Sequence, residues 1–165
     1  MLKAQNSAPV HISAGSCASI KNGTIKSWEE LQTIIESGRF ELLGRTQKEQ
    51  ARYMSESAKL AEQHGSVSKY MTAKLSTLQP RSGFILMLND YPYALEESIS
   101  HYILWSTSPL PSGNTPPQSV IDYLDSPEFC SNIYSNRPFE FLWLVNPPHL
   151  RSVPSIYHGH LFIKQ

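Results

Sequence analysis

Cysteine is nearly absent: Cys17 and Cys130 are the only two among 165 residues. That excludes a disulfide framework and a cysteine-ligated zinc site, and it favours a reducing compartment. Surplus charge is absent too, with 14 basic side chains against 14 acidic ones. Neutrality argues against a strongly basic nucleic-acid binder, although a local patch fits inside a balanced total. No stretch approaches the roughly 20 apolar residues that a membrane-spanning helix needs, so no membrane partner is expected and the cytoplasm is the expected location. The first 26 residues lack acidic side chains and any apolar block long enough for a secretory signal. Their basic residues are Lys3, Lys21 and Lys26 with no arginine, which fits a mitochondrial presequence poorly. Residues 1–26 are read as a disordered tail and 27–165 as a single domain, because this length suits one core and leaves no room for separate cofactor and substrate domains.

Ser27-Trp28-Glu29-Glu30 has the form of a capping box, and Trp28, Leu31, Ile34 and Ile35 follow at helical spacing up to Gly38. Thr46-Gln47-Lys48-Glu49 repeats the signal ahead of a longer helix with Tyr53, Met54, Ala58 and Ala61 toward the core and Gly65 as its stop. A third helical stretch over 67–75 sets Val67, Tyr70, Met71 and Leu75 on one side, before Pro80 breaks the pattern. From Gly83 the periodicity changes. The apolar run Phe84-Ile85-Leu86-Met87-Leu88 predicts a strand buried on both faces. Residues 99–105 alternate, with Ile99, His101, Ile103 and Trp105 on one face and Tyr102 and Leu104 on the other. After a loop of Pro, Ser and Gly, Thr115 is expected to cap a short helix carrying Val120, Ile121 and Leu124, and Ser126-Pro127 to begin another helical turn. Residues 139–145 and 157–163 complete the strands, the last with His158, His160 and Phe162 on one face. Helices first and strands later predict an α+β fold, N-terminal helices packed on a small, mostly antiparallel four-stranded sheet.

Two runs concentrate the chemistry: Asn89-Asp90-Tyr91-Pro92-Tyr93 leading into the strand of His101, and Asn146 through Arg151 into the strand of His158 and His160. Each joins a polar turn to a short apolar segment carrying imidazoles, the way a scaffold presents functional groups from strand ends. His101, His158 and His160 are the candidate catalytic residues. Asn89, Asp90, Tyr93, Glu96, Glu97, Trp105, Asn146, Arg151 and Ser152 are the candidate contacts to a small polar substrate. No cofactor is expected. Three imidazoles from neighbouring strands would also suit zinc, iron or copper with an open position, so a metal enzyme built on His101, His158 and His160 is one alternative. A histidine-triad hydrolase would need an imidazole where Phe162 stands, and a two-histidine phosphoesterase a Ser or Thr where Ile103 and His160 stand. Trp28, Trp105 and Trp143 fall in apolar periodic patterns and also read as core aromatics. Arg39, Arg45, Lys48 and Arg52 lie close enough to form one small basic patch, or a solvated helix face.

These motifs, in this order, resemble the fungal N-acetylglucosamine-induced proteins, a domain family of unknown function. The resemblance runs from Trp28 to Ile163 through Leu43-Gly44-Arg45-Thr46, Asn89-Asp90-Tyr91-Pro92-Tyr93, His101 with Trp105, Asn146-Pro147-Pro148, Arg151-Ser152-Val153-Pro154 and His158-Gly159-His160. The chain departs from the family pattern in a short tail and a short loop between the second and third strands. The resemblance extends to arginine-containing cyclodipeptide synthases, and so implies an aminoacyl transferase that uses aminoacyl-tRNA. That chemistry needs a base for an attacking α-amine, a donor to a tetrahedral oxyanion, and a carboxylate for a guanidinium. His101, His158 or His160 fits the first role, Arg151, Asn89 or Asn146 the second, and Asp90, Glu96 or Glu97 the third. A non-enzymatic module binding a small polar ligand such as an amino sugar is the alternative from another class.

Overall fold

The structure, a computed structural model, describes residues 23–134 and 137–164. Residues 1–22, which hold Cys17 and most of the expected tail, lie outside it. Four strands, β1 (Phe84–Leu88), β2 (Ile99–Ser106), β3 (Glu140–Leu144) and β4 (His158–Lys164), form one antiparallel sheet in the order β1-β2-β4-β3. The long crossover from β2 to β3 leaves the middle of the sheet to β2 and β4, the two strands that carry the histidines.

Both faces of the sheet are covered. Leu104, Trp143, Leu161 and Ile163 bury one face against α4 (Gln118–Leu124) and α5 (Pro127–Tyr134), through Val120, Leu124 and Phe129. On the other, Trp28, Leu31, Ile34 and Ile35 of α1 (Trp28–Ser37) meet Ile99, Leu144 and Phe162. Beside them Val67, Met71 and Leu75 of α3 (Val67–Ser76) pack on Ile103 and Trp105. The α+β architecture is as expected, with a further helical layer behind the sheet. Burying four large side chains stabilises α1 by about 1.5–3 kcal/mol each. Ser27 and Glu30 close the capping box in both directions, and Gly38 ends the helix at φ 70°.

Four expectations change. Met54 and Ala58 are exposed, and no residue of α2 (Gln47–His64) is buried, because this helix packs on α3 and not on the sheet. β1 is an edge strand. Its Phe84 and Leu86 serve one core and Ile85 and Met87 the other, but Leu88 is left 61% exposed. Thr115 does not cap α4, whose N-cap is Pro117 with no side-chain bond. Finally, the order that was expected from Ser27 starts earlier: Lys26 is buried and bridges Leu95, its backbone N–H donating to Ala94 O.

Candidate functional site

Strand register decides which histidines meet. In the β2–β4 pair, Ile103 faces His160, His101 faces Phe162 and Trp105 faces His158. Directly opposed residues share a face, so all three imidazoles lie on the α1 and α3 side of the sheet, with His101 and His160 as diagonal neighbours. Gly159 turns to the other face. An added Cβ there would stand 2.1 Å from the Trp143 ring, so the indole lies directly on the backbone between the two histidines.

His101 and His160 are buried and joined, Nε2 to Nδ1, at 2.9 Å. The Tyr93 backbone N–H donates to His101 Nδ1 at 3.1 Å. A backbone amide can only donate, so His101 Nδ1 is an acceptor and the neutral ring carries its proton on Nε2. That proton is donated to His160 Nδ1, which leaves the His160 proton on Nε2. The Asn146 side-chain amide stands 3.2 Å from His160 Nε2 and 3.0 Å from the Tyr93 hydroxyl through the same atom, placed as Nδ2. Valence then requires the carbonyl end of this amide to occupy that position and accept from both groups, the usual amide-flip ambiguity resolved by the network. The result is one ordered chain, Tyr93 N–H to His101 to His160 to Asn146, closed by the Tyr93 hydroxyl. The Tyr93 ring also stacks on His160 with centroids 5.3 Å apart.

Burial dominates the electrostatics. It pushes His101 down to about 3, helped by the positive charge of Arg45. It holds His160 well below the ordinary imidazole range, with His101, His158 and Arg45 adding to the effect. Tyr93 is pushed up, again first by burial. Two neutral rings are therefore the state in which the hydrogen-bond chain closes.

His158 differs. Its Nδ1–H donates to Ile156 O at 2.7 Å, and Nε2 has no hydrogen-bond partner among the described residues. Trp105, a candidate substrate contact, walls this ring at 4.9 Å between centroids. Burial lowers His158, against the opposing pull of the Ile156 carbonyl.

The remaining candidates separate. Asn89 lies beside His101, with its amide nitrogen 3.4 Å from both ring nitrogens and so along neither lone pair. Its Oδ1 accepts from Tyr91 N–H at 2.9 Å, which fixes the turn. Arg151 belongs with Asn146: its Nε donates to Asn146 O at 2.9 Å and its Nη2 to Ser112 Oγ at 3.1 Å. Asp90, Glu96, Glu97 and Ser152 are exposed, with Asp90 69% exposed and 3.9 Å from Lys74 Nζ, so they are not part of the buried cluster. Nor do the histidines form a ligand set. His101 and His160 point their facing nitrogens at each other, and among the described residues no three His, Cys, Asp or Glu side chains converge to hold a metal ion.

Two contributors were absent from the sequence-based candidates. Arg45 lies 4.0 Å above the Tyr53 ring, donates from Nε to Tyr91 O at 2.9 Å, and acts on both buried histidines. In the sequence it belongs to the Leu43-Gly44-Arg45-Thr46 motif and to the basic stretch with Arg39, Lys48 and Arg52, and neither signal places it beside the histidines. Ser112, which anchors Arg151, sits in a loop of Pro, Ser and Gly and had none.

No helix among the described residues is long and apolar enough to cross a membrane. The chain is similar to the uncharacterized protein YPL067C of Saccharomyces cerevisiae, 26% identical, with 82% of this chain and 77% of that protein covered. It is also similar to the N-acetylglucosamine-induced protein 1 of Candida albicans, at 23% identity over 88% of this chain and 70% of that protein. A solved structure, the crystal structure of HTC1, matches with a TM-score of 0.64 at 23% identity, covering 84% of this chain and 85% of that one, and shows the same fold. Residues 27–164, which hold every described side chain of the histidine cluster, match the protein of unknown function family DUF3605, and the chain belongs to that family.

Proposed function

We propose that this domain is an acyl-transfer enzyme of the cyclodipeptide-synthase type, taking two aminoacyl groups from tRNA, one of them arginyl, and joining them into a diketopiperazine. The observation that carries the reading is the state of His158, whose Nδ1–H is held by Ile156 O while Nε2 has no partner among the described residues. A neutral imidazole with one nitrogen oriented and the other open suits a general base. The α-amine of one aminoacyl ester gives a proton to His158 Nε2 as its nitrogen attacks the ester carbonyl of the other. A C–N bond forms, the tetrahedral oxyanion collapses, and the C–O bond to the ribose breaks as the ribose oxygen takes the proton back. Repetition of the step within the dipeptidyl ester closes the ring and releases the second tRNA. Arg151, fixed through Nε and Nη2, is the proposed donor to the oxyanion. Asp90, Glu96 and Glu97 are the proposed partners of the arginyl guanidinium from the solvent side. The cytoplasm, which supplies charged tRNA, is the proposed location.

The test is incubation with charged tRNA pools and mass spectrometry for cyclodipeptides. Wild-type protein is expected to form them and His158→Ala to lose them while keeping its circular dichroism spectrum. Absence of product beside an active control enzyme sinks the reading. A second reading, a non-enzymatic binder of a small polar ligand such as an amino sugar, is favoured by the saturation of His101 and His160, since a complete buried network needs no reaction to explain it. In that case glucosamine or N-acetylglucosamine would raise the melting temperature, and no substrate would be consumed.

A further inference from the structure

Away from the histidines, a cleft of about 300 Å³ opens between α2, α3 and the turn at Tyr91, lined by Glu56, Lys59, Leu60, Gln63, Tyr70 and Tyr91. Its polar groups divide into used and unused. The Glu56 carboxylate accepts from the Tyr91 hydroxyl and lies 3.6 Å from Arg52 Nη1, so its charge is already met. The Lys59 ammonium and the Gln63 amide, both exposed to solvent, and the half-buried Tyr70 hydroxyl have no hydrogen-bond or ion-pair partner among the described residues. One cation and two neutral groups that can donate thus line a single cleft whose only carboxylate is already paired. Leu60 and the rings of Tyr70 and Tyr91 supply apolar wall, with the His64 ring 5.0 Å behind Tyr70.

We propose that this cleft binds an oxyanion, a carboxylate or phosphate carried on a planar apolar body, with Lys59 as the ion-pair partner and Gln63 and Tyr70 as hydrogen-bond donors. An acceptor-only ligand suits the Lys59 cation flanked by two groups able to turn a donor toward it, with no unpaired carboxylate in the lining to repel it, and a flat body suits walls made of tyrosine rings. The site does not depend on the acyl-transfer reading, and its test involves no turnover.

The experiment is a titration of the ¹⁵N-labelled full chain with benzoate, inorganic phosphate and benzylamine, followed by amide chemical shifts. Benzoate or phosphate is expected to give saturable shifts at residues 59–63, 70 and 91, and benzylamine none. Lys59→Ala is expected to weaken that binding about three- to fivefold, as loss of a partly exposed ion pair does. Tyr70→Phe, which keeps the ring, is expected to weaken it less. The anion that saturates names the ligand class, carboxylate or phosphate. Benzylamine binding as well as benzoate, or no saturable shift from either anion, or an unchanged affinity in folded Lys59→Ala protein, overturns the proposal.

Discussion

Asn146 shows how a single residue holds the buried cluster. One amide oxygen is required to accept from both His160 Nε2 and the Tyr93 hydroxyl, so Asn146→Leu leaves two buried donors without an acceptor. Each unsatisfied group costs about 1–3 kcal/mol. Urea denaturation of Asn146→Leu is expected to give a loss in that range or above, whereas a neutral effect would mean that the two donors find other partners. Gly159→Ala is expected to cost about 1–3 kcal/mol for a different reason, overpacking against Trp143. Titration adds a third prediction. His101 has its folded pKa depressed to about 3 from an ordinary 6.5, so the unfolded chain binds the proton more tightly. The stability this histidine contributes is fully present above pH 6.5. It is lost as pH falls from 6.5 toward 3, at up to about 1.4 kcal/mol per pH unit. His160 acts in the same direction. Melting temperatures measured between pH 7 and 5 should therefore fall in wild-type protein and fall less steeply in His101→Phe, provided that variant folds. Equal slopes would remove His101 as the cause. The His-x-His alternation was legible in the sequence because strand periodicity is strict. The pairing partner was not, because register depends on contacts made 59 residues away in the chain, as between His101 and His160.

Local signals explain which elements were foreseen. α1 carries its boundaries in its own residues, a reciprocal cap at Ser27 and a left-handed stop at Gly38, and its apolar stripe meets the sheet. α2 has the same kind of boundaries at Thr46 and Gly65, yet its expected core face points to solvent at Met54 and Ala58. Caps report where a helix starts; only tertiary packing reports what it packs on. What ties α2 to the remainder is largely polar and aromatic: Arg52 donates to Asp90 O, and Tyr53 meets Tyr91 edge-on at 5.2 Å. A helix without buried side chains opens more readily than one sealed into a core. Hydrogen exchange is expected to show faster amide exchange across the middle of α2 than across α1, although α2 is the longer helix. Equal protection would show that the ties to the Tyr91 turn hold it as firmly as burial does.

At the scale of the whole molecule, neutrality constrains the proposed partner. Four basic residues, Arg39, Arg45, Lys48 and Arg52, fall in the short stretch of sequence that leads into α2, the densest run of positive charge and so the first place to look for a phosphate contact. The structure has already engaged three of them: Arg39 pairs with Glu41, Arg52 with Glu49 and Glu56, and Arg45 stacks on Tyr53. Within this stretch that leaves Lys48 as the cation with no side-chain partner among the described residues. Each neutralised phosphate contributes about −0.7 to −0.9 to the slope of log Kobs against log salt. Two to four such contacts would give aminoacyl-tRNA binding a slope of roughly −1.5 to −3.5, far shallower than that of a dedicated nucleic-acid binder. Filter binding across a salt series measures it directly. A slope within that range fits an enzyme that grips mainly the aminoacyl end and makes few contacts to the tRNA backbone. A slope near −8 would mean roughly nine neutralised phosphates and would overturn the expectation of a small electrostatic contact, and no measurable binding at low salt would leave the small polar ligand as the partner of this fold.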